Sequence, residues 1–330
     1  MARAVQWRLI SKRTRKERQS QRRAIDLRHA GITEATRDRY LAGLAMLLPV
    51  LTQIRSLLHL DELTADWIQK CWEDGESIHV VSDALCGLHF FEPWTKKGIP
   101  TSWRIFATWR KLETPCRAPP LTAHLVYCMA HYAVAHRDLS FAALLLLGFF
   151  ALLRTGELLS LRPEDLLVGP KQTIVSLFGT KTGQRNNAAE MVSFFDDFTT
   201  EVLIALLDQR RSLRTIKTPI WSFSGQHFRN QFKTYLKKFD LIKRNFRPYS
   251  LRRGGATWTF QQSGSMELAL VKGRWGSSKV ARVYIADGIS HLPGMTHTKR
   301  ALNMLDKLDS FFNCKAVETI KGVVEGRLFE

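Results

Sequence analysis

The chain has 330 residues, 45% of them hydrophobic, which is long enough for two domains and apolar enough for a true core, so disorder of the whole chain is excluded. Its 49 Lys and Arg against 30 Asp and Glu leave a formal charge of +19. That excess points to a polyanionic partner: nucleic acid is expected, since each neutralised phosphate releases counterions, and an acidic membrane surface is the rival.

In chain order, residues 3 to 28 carry ten basic residues against Glu17 and Asp26. This reads as a basic arm over 1–30, placed to follow phosphates, to act as a nuclear import signal, or simply to remain solvated. It lacks the apolar segment of a secretory leader. The five cysteines are scattered and odd in number, and they suggest neither a disulfide framework nor a zinc knot.

From Thr33 the pattern turns helical. Leu41, Leu44, Ala45, Leu48 and Leu51 recur at three- and four-residue steps, Trp67, Ile68, Cys71 and Trp72 share a face, and 80 to 91 supplies another stripe. Trp103, Phe106 and Trp109 repeat every third residue beside Arg104, Arg110 and Lys111, which predicts a core stripe with a basic, DNA-facing flank rather than a base-stacking platform. Residues 31–115 thus read as an all-α unit. The prolines of TPCRAPPLT (114–122) end it, and a second domain is expected over 119–290.

Thr122 caps the next predicted helix. Two apolar helices are expected at 123–136 and 140–153; the apolar run from Phe141 to Leu153 stops at Arg154, short of the roughly 20 residues that span a bilayer, and reads as a buried helix. Three strands follow near 165–168, 173–178 and 189–194, the last two joined by GTKTGQRNN, and helices resume after Asp197. Residues 229 to 253 hold nine Lys or Arg against Asp240 alone, Lys243 and Arg244 among them, and are expected to face DNA, with a merely solvated helix face as the alternative. Leu302, Leu305, Leu308, Phe311 and Phe312 suggest a helical tail over 291–330, packed on a neighbouring subunit or on its own domain. His131 and His136, like His291 and His297, lack HExxH spacing, so no metal site is expected.

Cleaving a phosphodiester without a metal demands cations on the non-bridging oxygens and a proton for the departing sugar oxygen. Arginine suits the first task because its fork binds two oxygens and stays charged. Four segments offer these residue types in order: ALLRTGELLSLRPEDL (151–166), GTKTG (179–183), YSLRRGGAT (249–257) and GRWGSSKVARVYI (273–285). Together they resemble the tyrosine recombinase, or phage integrase, family, with a flavour of its retroelement-type members in Arg253, Gly254 and Gly255.

The resemblance implies a catalytic set of Arg154, Lys181, Tyr249, Arg252, Trp275 and Tyr284. The family usually writes Thr-Gly-Leu-Arg at the first arginine, whereas here Thr155-Gly156 follow Arg154. Lys181 falls at the tip of the family's hairpin, as the general acid. Arg252 matches the Arg of His-x-x-Arg, but Tyr249 replaces the His; a phenol titrating near ~10 is a poorer proton shuttle than imidazole and is expected to position the phosphate. Trp275 stands where the family has His or Trp, an indole N–H being a donor only, and Tyr284 follows nine residues later, at the family's spacing for the nucleophile. Ser277 and Ser278 would start the helix presenting it.

The implied architecture is mainly α with a small β-sheet: an α-helical core-binding domain and an integrase-like catalytic domain clamping double-stranded DNA. No cofactor is implied. The resemblance further implies a homo-tetramer on DNA, integration or transposition as the setting, and residence in the nucleus if the chain is eukaryotic or in the cytoplasm otherwise. A DNA-binding relative that no longer cuts, and a type IB topoisomerase-like enzyme, are the alternatives.

Overall fold

A computed structural model describes Gln19 and residues 31–113, 117–170, 172–178, 180, 190–212, 219–221, 224–279, 281, 282, 284 and 285. The basic arm apart from Gln19, Lys181 and the tail 291–330 lie outside the described residues. Residues 31–113 and 117–285 fall into two compact units.

The first unit is helical throughout: α1 (Glu34–Leu51), α2 (Leu57–Glu73), α3 (Ile78–Phe91), a single turn α4 (Thr95–Gly98) and α5 (Pro100–Leu112). Hydroxyls start three of them: Thr33, Ser56 and Ser77 accept from the backbone N–H of Thr36, His59 and His79 at 2.9, 3.1 and 3.3 Å. Each satisfies one of the N–H groups that a helix start leaves without a partner. Helix α1 is apolar on more than one side, and the stripe expected from its leucines is not the buried one. Leu41 and Leu48 are exposed, while Gly43 and Leu47 are buried. The reason is Gly43: a Cβ there would stand 2.5 Å from the backbone nitrogen of Ala84, so the missing side chain lets α1 lie directly on α3. The core gathers Leu47, Ile68, Val81, Leu85, Phe106 and Trp109. Trp72, expected inside, is 40% exposed and leans edge-on against Trp109 at 5.3 Å. On α5 the aromatic stripe packs inward as expected, which leaves Arg104, Arg110 and Lys111 exposed.

The second unit is built around α7 (Leu139–Phe150), whose sequence is apolar on every side and whose residues are buried apart from the half-buried Ser140. Helices α6 (Ala123–Ala135), α9 (Asp197–Ser212) and α11 (Tyr249–Ser263) pack against it. Thr122 caps α6, accepting from Leu125 N–H at 3.3 Å. After the short α8 (Thr155–Leu159), strands β1 (Leu166–Val168), β2 (Thr173–Leu177) and β3 (Glu190–Phe194) form an antiparallel sheet in that order, with Leu166 opposite Val175 and Val175 opposite Val192. Thr173, Val175 and Leu177 alternate inward along β2. Helices α10 (Gly225–Lys238) and α12 (Met266–Gly273) complete the described elements, and the described residues from 278 to 285 are helical as well. Among the described residues no helix is long and apolar enough to cross a membrane.

Candidate active site

Two close approaches set the position of α11. A Cβ on Gly254 would strike the carbonyl oxygen of Leu121, and one on Gly255 that of Phe149. Only glycine at both positions lets this helix press backbone to backbone against α7 and the start of α6. The first turn of α11, carrying Tyr249 and Arg252, is thereby fixed beside the end of α7, where Arg154 begins α8.

Between α7 and α8 the chain turns through Leu152, a fully buried residue in the left-handed region at φ 50°. Such a conformation costs a branched residue on the order of 1–3 kcal/mol, and here it aims a carbonyl. The Leu152 oxygen accepts from Arg252 Nη1 and, at 3.2 Å, from Arg274 Nη2. Leu152 also stands two residues before Arg154, where the Thr-Gly-Leu-Arg pattern has its glycine. Its φ lies in the region that glycine adopts without strain.

Arg252 is 1% exposed, with Nη2 on the carbonyl of Gly273 at 2.5 Å and its guanidinium carbon 5.1 Å from the centre of the Trp275 ring. Burial, followed by the neighbouring guanidinium groups of Arg154 and Arg274, pushes its pKa down to about 10. It remains a cation at neutral pH, desolvated and therefore costly unless matched by an anion. Glu157 supplies part of the match. Its carboxylate takes Arg154 Nη1 at 2.5 Å, Arg154 N–H at 2.8 Å and Arg274 Nη2 at 2.8 Å, with Arg252 Nη1 at 4.0 Å. Burial pushes this carboxyl up, but the Arg274 and Arg154 contacts together outweigh it and hold the group below the usual carboxylate range. Three guanidinium groups thus converge on a single carboxylate, an excess of positive charge in a largely dry site.

Trp275 stacks on Tyr284, ring centres 4.8 Å apart and 29° between planes, and is backed by Gly273, whose Cβ would collide with the indole. The Tyr284 oxygen shares a hydrogen bond with that of Tyr249. Leu152, Ala256 and Ala281 close the apolar floor beneath Trp275. Arg154, Glu157, Arg252, Trp275, Tyr284 and Tyr249 therefore form one continuous chain of contacts from segments far apart in sequence.

Lys181, expected at the hairpin tip, lies outside the described residues. Arg253, expected to reach DNA, is instead 2% exposed and donates to the carbonyl of Ala118, because it sits on the side of α11 that faces the start of α6. Of the basic set at 229–253, Arg252 and Arg253 are buried, whereas Arg229, Lys233, Lys237, Lys238, Lys243 and Arg247 are exposed and Arg244 is half-buried. Arg274 and the charge-balancing part of Glu157 were not anticipated; the sequence signal was a charged residue wedged between Gly273 and Trp275, a place where a buried side chain needs a counter-ion.

No family model matches the sequence, and no curated protein matches it either. Solved structures do. A Tn1549 transposon integrase in complex with a circular intermediate DNA matches with a TM-score of 0.56 at 13% identity, over 81% of this chain and 96% of that one. A lambda integrase dimer bound to a core site matches at 0.53 and 17% identity, over 83% and 76%. The XerH site-specific recombinase bound to its difH substrate, before cleavage, matches at 0.51 and 13%, over 94% of each chain. This chain therefore has the fold of the site-specific recombinases and integrases, the tyrosine recombinase fold that its motifs resemble.

Proposed function

We propose that the chain cleaves and rejoins double-stranded DNA through a covalent 3′-phosphotyrosine bond at Tyr284. The observation that carries this reading is the stack of Arg252, Trp275 and Tyr284, in which one indole touches both the buried cation and the phenol. In the reaction Tyr284 Oη forms a bond to phosphorus, its proton passes to water, the bond from phosphorus to the 5′ oxygen breaks, and that oxygen takes a proton from Lys181. Arg154 and Arg252 balance the charge on the non-bridging oxygens, each contact being worth roughly 1.5–3 kcal/mol. Trp275 donates to one of those oxygens and Tyr249 orients the phosphate. Religation is the reverse step with a second 5′ hydroxyl, and the covalent link conserves the bond energy without a nucleotide cofactor.

Arg104, Arg110 and Lys111 of the first unit, and Lys243 and Arg244 of the second, are assigned to phosphate contacts. The three solved relatives described above are all complexes with DNA, which supports a duplex as the partner. On the same reading the working form is a homo-tetramer on DNA that serves a mobile element, in the nucleus if the cell is eukaryotic and in the cytoplasm otherwise.

The test is a nicked duplex whose leaving strand diffuses away after cleavage. A denaturation-resistant adduct that is lost in Tyr284→Phe supports the reading. Salt-sensitive binding with no adduct favours a DNA-binding relative that does not cut, and relaxation of supercoils without recombinant product favours a topoisomerase.

A further inference from the structure

Arg274 occupies a position that glycine would fill without strain. It ends α12 in the left-handed region, φ 53°, and its side chain is 5% exposed. A long cation in such a backbone and so little water must be held by its contacts. Nη2 reaches Glu157 at 2.8 Å, and Nη1, buried and making no hydrogen bond among the described residues, faces Glu190 at 4.0 Å. Glu190 opens β3 opposite Leu177 and accepts from the hydroxyl of Thr180 at 2.5 Å. The chain Glu157, Arg274, Glu190, Thr180 thus runs from the arginine pair to the sheet edge that leads into the β2–β3 connection.

From this we infer that Arg274 is a positioning residue which ties that sheet edge, as far as Thr180, to Arg154 and Arg252 and so supports the step that protonates the leaving oxygen. The inference rests on the strand-cleavage reading, in which the residue after Thr180 supplies the proton. A lysine at 274 would be a poor replacement, since its single nitrogen would have to serve both carboxylates where Nη2 and Nη1 each face one.

The test compares single-turnover cleavage of two nicked duplexes, one with the ordinary 5′ oxygen and one with sulfur in its place, which leaves as a thiolate and needs no proton. Two variants are used: Arg274→Gly, which suits the backbone, and Glu190→Gln, which keeps size and the Thr180 contact should the first fail to fold. With DNA affinity unchanged, cleavage of the oxygen substrate is expected to fall at least about tenfold, and sulfur is expected to restore most of the loss, since general acid catalysis contributes about 10²–10⁴-fold. Glu190→Gln cleaving at the wild-type rate, or a defect equal for both leaving groups, overturns the inference. Wild-type protein that forms no adduct with either substrate overturns the strand-cleavage reading itself.

Discussion

Tyr249 and Tyr284, 35 residues apart in sequence, share a hydrogen bond between their phenol oxygens. Burial, and then this contact, raises the pKa of Tyr249, while Arg252 and Arg154 pull it the other way without prevailing. Tyr249 is therefore neutral throughout the physiological range, able to donate or accept one hydrogen bond but unable to serve as a base. Tyr249→Phe should retain the DNA adduct and form it up to about tenfold more slowly, the worth of one hydrogen bond of roughly 0.5–1.5 kcal/mol. Tyr249→His should form it faster near neutral pH, where imidazole exchanges protons. Tyr284→Phe should give none. Single-turnover adduct formation measured by denaturing gel checks all three.

Glu157 is the anion on which three guanidinium groups depend, so its loss should reach beyond local packing. Glu157→Gln leaves buried cations without a counter-charge, a defect of about 3–5 kcal/mol by analogy with other broken buried pairs. The measurement is the urea midpoint at neutral pH. The acid response has a definite sign: the folded-state pKa of Glu157 is lowered, so its stabilisation is complete above the unfolded carboxyl value and is lost as pH falls through the folded one. The variant should show a flatter stability profile below about pH 4.5, the ordinary value for this carboxyl.

Much of this arrangement was legible in the sequence, and the reasons are physical. The apolar run of α7, the alternation of β2 and the prolines at 114–122 are local signals that tertiary contacts had no cause to override. The positions of Arg252, Trp275 and Tyr284 were expected from the resemblance of 249–257 and 273–285 to the tyrosine recombinase motifs, whose residue types suit phosphoryl transfer. Burial of Arg253 was hidden because adjacent positions on a helix point about 100° apart, and nothing local says which of two arginines faces inward. The exposed leucines of α1 were hidden for a related reason: Gly43 chose the packed face through a backbone approach that hydrophobic periodicity does not register.

Gly255 offers a test of how α11 is held. Since a Cβ there would overlap the carbonyl oxygen of Phe149, a backbone atom that cannot rotate away, Gly255→Ala should move α11 off α7 or fail to fold. Overpacking of this kind costs typically about 1–3 kcal/mol, and the displaced helix carries Tyr249 and Arg252. Thermal unfolding should show a lower Tm, and adduct formation should fall further than the stability loss explains. Gly156, where an added Cβ would meet no non-neighbouring atom within 4 Å among the described residues, is the control: alanine there should leave cleavage unchanged.

His131 lies buried on α6 and stacks on Phe198 with ring centres 3.7 Å apart. Burial holds its pKa down to about 3, well under the ordinary 6.5. Between these values the unfolded chain takes up a proton that the folded chain refuses, so stability must fall as pH drops through that window. His131→Phe should remove this component. Urea midpoints at pH 7 and pH 4 should lie closer together in the variant than in the wild type.

Exposed and buried basic residues of the second unit should separate cleanly in DNA binding. Lys233 and Lys237 project from α10 into solvent, whereas Arg253 is spent on the Ala118 carbonyl within the protein. Lys233→Ala and Lys237→Ala should each weaken binding to any duplex sequence and lower the salt slope of log K by about 0.9 for each phosphate that no longer meets a lysine. Arg253→Ala should instead leave the slope of the folded protein unchanged and reduce stability by about 1–3 kcal/mol, the cost of leaving a buried carbonyl unsatisfied. Fluorescence anisotropy over a salt series, paired with thermal unfolding of the same variants, reads both quantities. A reduced slope in Arg253→Ala with unaltered stability would return that residue to the DNA surface.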